Sequence, residues 1–171
     1  MEPKRTPIIL LLISLVSFAD DLQLRTGLGR NPNKGKIVAV NYSRPLSKEL
    51  KFLKSFDFLY MDAEIGGLNP VNFLTSHYTM FGSIGVAFKI KSKPMYAQFI
   101  QSVAVISDTN RYLNTHYQFP TTLSGGLWHK NGNIGVFWKH FSNGSGSPFN
   151  VGANYLGLEM GWSFGTNLAK Q

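Results

Sequence analysis

The chain has 171 residues, no cysteine, and 17 Lys and Arg against 9 Asp and Glu, a net charge of +8 with the histidines neutral. That composition excludes a disulfide frame and a lipoprotein anchor, and the absence of any run of eighteen apolar residues excludes a transmembrane helix. The cationic excess favours an anionic partner, for an exported chain phosphate-bearing lipid more readily than nucleic acid.

Residues 1–19 read as a signal peptide. Lys4 and Arg5 make a basic start, Pro7 to Phe18 is an apolar run with no polar face, and Ser17-Phe18-Ala19 offers small residues to a peptidase. Residues 20–171 then form one domain, whose net charge falls to +7 because Glu2, Lys4 and Arg5 are removed. Without a transmembrane helix, an exported chain ends as a soluble periplasmic fold or as a closed membrane barrel.

Eight strands follow in order: Leu22 to Arg30, Lys36 to Ser43, Phe52 to Ile65, Tyr78 to Lys91, Met95 to Ser107, Tyr117 to Lys130, Asn133 to Ser142 and Asn154 to Thr166. In the fourth, Met80, Ile84, Val86, Phe88 and Ile90 share one face, with Ser83, Gly85, Ala87 and Lys89 on the other. In the eighth, Leu156, Leu158, Met160, Trp162 and Phe164 oppose Tyr155, Gly157, Glu159, Gly161 and Ser163. A soluble barrel would crowd its outer face with charge. Here the non-greasy face is Gly, Ser and Ala, which suits a filled lumen, so the apolar face points to lipid.

The expected fold is all-β: an eight-stranded antiparallel up-and-down transmembrane β-barrel. The third strand breaks parity, since Phe56, Phe58 and Tyr60 alternate with Leu59, Met61 and Ile65, and a bulge near Tyr60 would reconcile the halves. Short turns at Ser92-Lys93-Pro94 and Asn131-Gly132 mark the periplasmic end. The longer connections, Gly66 to His77, Asp108 to His116 and Asn143 to Ala153, are then external. Trp128, Trp138 and Trp162 suit interface girdles or wall packing. Asp62 and Glu64 read as a satisfied interior rather than an acid/base couple.

The segment "KHFSNGSGSPFNVGANY" places His140 and Ser142 on the outward face of the seventh strand at the external rim, and Asn154 on the outward face of the eighth. Three polar groups on a lipid-facing patch are costly unless used. Glu159 has lumen parity and lies too far down the wall to reach His140. With scattered histidines and no cysteine, no metal site is expected.

At His140-Phe141-Ser142-Asn143-Gly144, followed by Pro148, Asn150, Gly152 and Asn154, the sequence resembles the lipid A 3-O-deacylases, the PagL family. The motif spans about fifteen residues; the rest matches in strand order and size. The resemblance implies a hydrolase of the Gram-negative outer membrane. It would remove the ester-linked acyl chain at position 3 of lipid A of lipopolysaccharide, without metal or organic cofactor.

It casts Ser142 as nucleophile and His140 as general base, with Asn143, Asn150 and the backbone from Gly144 stabilising the oxyanion. Asn154 stands where the family has a glutamate. Arg30, Arg111 and His116, at the external rim, are candidate contacts to lipid A phosphates. A phospholipase acting on glycerophospholipids, whose outer-membrane examples resemble this site in Ser, His and Asn, is one alternative. A non-catalytic structural barrel is another, and a homodimer is left open.

Overall fold

The computed structural model describes residues 21–30, 35–46, 58–69, 79–109, 113–142 and 152–164. Nine strand segments form one antiparallel sheet: β1 Asp21–Arg30, β2 Lys36–Pro45, β3 Leu59–Asn69, β4 Thr79–Ser92, β5 Met95–Ile106, β6 Tyr117–Gln118, β7 Thr121–His129, β8 Gly132–Phe141 and β9 Ala153–Ser163. Pairing of β1 with β9 and of β4 with β5 closes the sheet into a barrel. The expected signal peptide lies outside the described residues.

β6 and β7 both pair with β5 and are one stave interrupted at Phe119-Pro120. Pro120 has no N–H to give the ladder, yet its carbonyl still accepts from Ser102 N at 3.0 Å, and Phe119 N still donates to Ser142 O at 2.5 Å. The sixth predicted strand is thus broken by a proline, and the barrel counts eight staves.

Alternation governs which side chains face lipid. On β4 Met80, Ile84 and Ile90 are exposed while Ser83, Ala87 and Lys89 are buried, and on β9 Leu156, Leu158, Met160 and Trp162 are exposed while Tyr155 and Glu159 are buried. A greasy outside around a polar inside is the arrangement of a membrane-spanning barrel, because no water is present to solvate an exposed charge at that depth.

The lumen is filled in layers. Towards the long-loop end, Phe81 packs edge-on against Phe141 at 5.2 Å and Phe141 against Tyr155 at 6.0 Å, within an apolar cluster that includes Ile37, Leu68, Ile106 and Leu113. Midway, Arg25 Nε meets Glu159 at 2.9 Å and its Nη1 meets Glu64, while Lys139 Nζ meets Glu64 at 2.8 Å and Tyr96 donates to Glu159 at 2.6 Å. Two cations thus match two carboxylates, which is what fully buried charges require. Towards the short-turn end, Lys89 and Lys91 hold Asp21 at 3.2 and 3.0 Å. The lumen is a packed interior.

Three expectations are corrected. No bulge is needed at Tyr60: β3 begins at Leu59 and pairs without interruption with β2 and β4, and Tyr60 is 9% exposed, its ring under Lys89 at 4.9 Å. Tyrosine is apolar enough to mimic a lipid-facing residue, but here it screens a lumen cation; residues 52–57 of the predicted strand lie outside the described residues. The β7–β8 turn is Lys130-Asn131, closed by the pair His129 and Gly132, with Lys130 at φ 51°. Trp128 is not in a girdle: it is 4% exposed in the lumen, 4.5 Å below Lys91.

The register fixes the tilt. A rung followed from Arg30 through Asn154, His140, Thr121, Gln101, Val86, Met61 and Arg44 comes back to β1 one position before Asp21, the partner of Ser43, ten residues lower than residue 30. Ten residues of rise over eight strand spacings incline the strands by about 40°. The rung therefore descends from Arg30 towards Gln101.

Candidate active site

His140, near the end of β8, pairs directly across the sheet with Asn154, the second residue of β9. Both side chains are half-buried on the outer wall, and His140 Nδ1 lies 3.0 Å from Asn154 Oδ1. A carbonyl oxygen can only accept, so Nδ1 is the donor, and in the neutral imidazole Nε2 then keeps its lone pair. That is the tautomer a general base needs.

Two further neighbours fix the ring. Trp138, two residues earlier on the same face, stacks on the imidazole with centroids 5.9 Å apart and planes 11° from parallel. Gly152 sits at φ 68°, and a Cβ there would lie 2.7 Å from His140 Cε1 and 3.2 Å from Nε2. The absent side chain leaves the space the ring occupies. The β8–β9 pairing ends at Phe141 and Ala153, with Ser142 and Gly152 the next residue of each chain segment beyond it, and Nε2 lies on the Gly152 side of the ring.

Ser142 is half-buried on the same outward face, two residues beyond His140. Its Oγ lies 3.5 Å from Phe119 O, at the limit of a hydrogen bond, and no hydrogen bond joins it to His140 among the described residues. Histidine and asparagine are thus brought together, and serine is placed beside them without contact. Glu159 is fully buried against Arg25 and Tyr96 on the inner side of the wall, away from His140 as its parity requires.

Arg30 is exposed and pairs with Asn154 across β1 and β9. His116 instead turns Nδ1 to Ile106 O at 2.9 Å, which ties down the connection after β5. Asn143, Gly144, Pro148, Asn150 and Arg111 lie outside the described residues, so the expected oxyanion donors have no geometry here.

Two features were not singled out in the sequence. Thr121, the pairing partner of His140 on β7, donates to Gln101 Oε1 at 2.8 Å, and Gln101 Nε2 reaches Pro120 O at 3.3 Å. Below this polar pair, a surface groove on the outer wall is lined by Phe88, Ile90, Phe99, Leu123, Val136 and Trp138, with Ala97 and Gly125 as its floor. Ala97 and Gly125 are cross-strand partners, so a methyl group and a bare backbone meet where neighbours are large. Only the pairing register reveals that coincidence.

The chain matches no family model and no curated protein. Among solved structures it is similar to one described as the crystal structure of the outer membrane enzyme PagL, with a TM-score of 0.61 and 17% sequence identity over 84% of this chain and 99% of that one. The fold expected from the motif resemblance is therefore met: the chain is an eight-stranded antiparallel β-barrel, with the apolar outer wall of a membrane-spanning one.

Proposed function

We propose that the chain is an outer-membrane serine esterase that removes the ester-linked acyl chain at position 3 of lipid A. The observation that carries this reading is the His140–Asn154 contact on the lipid-facing wall, with Ser142 on the same face and Gly152 making room for the ring. Polar side chains there have no structural debt to settle, since the barrel's charges are satisfied inside.

In the proposed reaction Ser142 Oγ turns from Phe119 O towards His140 and attacks the ester carbonyl as Nε2 takes its proton. Asn154 Oδ1 accepts from Nδ1–H throughout and orients the imidazolium; Trp138 lies against the face of that cation. The sugar alkoxide leaves with the proton from Nε2. Water, deprotonated by the same nitrogen, then cleaves the acyl-serine. The groove beneath Trp138 receives the acyl chain, and Arg30 stands at the rim for a phosphate.

Phospholipase activity is the second reading, favoured by an asparagine rather than a carboxylate on His140. Mass spectrometry of lipid A and phospholipids from cells expressing the wild type or Ser142→Ala separates the two. Serine-dependent loss of a 3-hydroxyacyl group supports deacylation. Serine-dependent release of phospholipid acyl chains supports the second reading, and no change in either lipid leaves a structural barrel.

A further inference from the structure

Transfer of the serine proton turns His140 into an imidazolium, and the side chains around it supply no full negative charge. Asn154 orients the ring through its carbonyl oxygen but is neutral, and Trp138 offers only the face of an aromatic ring. Among the described residues the carboxylates stand elsewhere. Asp21, Asp62, Glu64 and Glu159 are buried in the lumen, and Asp108 follows β5, two staves from β8, where Ser107 donates to it at 2.7 Å.

The next charged side chain up the outward rung is a cation. Arg30 pairs with Asn154 across β1 and β9, Asn154 pairs with His140 across β9 and β8, and Arg30 is exposed. Two strand spacings put its backbone about 10 Å from that of His140. On a wall that faces lipid, a guanidinium so close opposes the formation of an imidazolium. Its N–H donors are also set in a fork that fits a phosphate.

We propose that a phosphate of the lipid substrate, held by Arg30 beside Asn154, is the counter-ion of the imidazolium, so that the substrate completes the charge balance of the site. The inference rests on the proposed deacylase reading and deepens it. The favoured substrate is an acyl ester whose alcohol carries a phosphate within reach of Arg30 when the ester carbonyl lies at Ser142. A phosphate monoester carries about −1.5 to −2 charges at neutral pH, so once bound it outweighs the guanidinium and turns a repulsive neighbour into an attractive one. Arg30 is then a positioning residue. Its effect appears in kcat, because the imidazolium forms only on the way to the transition state, whereas a phosphate that merely anchored the lipid would lower KM.

The test compares two synthetic glucosamine lipids with the same 3-linked acyl ester in neutral mixed micelles, one with a phosphate on the anomeric carbon and one with a free hydroxyl there. The wild type should turn over the phosphorylated lipid with a kcat about tenfold or more above that of the other. Arg30→Gln should bring the two kcat values together by slowing the first and speeding the second. Asn154→Asp should bring them together by speeding the unphosphorylated lipid alone. Heat-dependent gel mobility checks that both variants are folded barrels. Equal wild-type kcat values, a difference confined to KM, or a kcat ratio unchanged in either variant overturns the proposal. Cleavage of neither lipid by the wild type brings down the deacylase reading and this inference with it; cleavage of both at one kcat brings down the inference alone.

Discussion

His140 and Asn154 face each other across the β8–β9 pair, with Nδ1 and Oδ1 3.0 Å apart, which makes the asparagine an acceptor that sets the histidine's tautomer. It offers no charge to balance the imidazolium. Asn154→Leu, which leaves Nδ1 without its partner, should lower kcat by about 10²-fold or more, and Asn154→Asp, isosteric and anionic, should match or exceed the wild type. Steady-state hydrolysis of a micellar ester substrate measures both. A leucine variant as fast as the wild type would remove Asn154 from the mechanism.

Ser142→Ala and His140→Gln should each reduce hydrolysis by about 10³-fold or more, and the double variant little further, since nucleophile and base act as a unit. Steady-state turnover of the same micellar ester reads both, and a single variant as fast as the wild type would take that residue out of the mechanism.

Gly152→Ala tests the space beside the imidazole. The left-handed backbone costs alanine about 1 to 2 kcal/mol, which a folded barrel can absorb, but the new methyl group collides with His140 Cε1 and the carbonyl of Phe141. Activity should fall by up to about 10²-fold with the barrel still folded, read as turnover beside heat-dependent gel mobility. Unfolding and inactivation in parallel would assign Gly152 a purely structural part.

The lumen network predicts a stability effect separable from activity. Arg25→Met leaves Glu159 without a cation and Glu64 with Lys139 alone, and should destabilise the barrel by about 3 to 5 kcal/mol. Adding Glu159→Gln removes the unpaired charge and should recover part of that loss. Guanidinium unfolding midpoints in detergent give the comparison, and an Arg25→Met midpoint equal to wild type would contradict the pairing.

Strand order and facing were legible because period-two alternation between greasy and small residues is a local property of the chain, and the positions of His140, Ser142 and Asn154 on the outer wall followed from the same parity. Tyr60 and Trp128 escaped that logic, since an aromatic ring serves equally at a lipid interface and over a buried lysine. Which residues meet across strands depends on register, and register is set by the closure of the whole sheet. Parity already kept Glu159 from His140; only the folded barrel decided that Asn154 Oδ1 meets His140 Nδ1, that Gly152 leaves room for the ring, and that Thr121 and Gln101 lie on its deeper side.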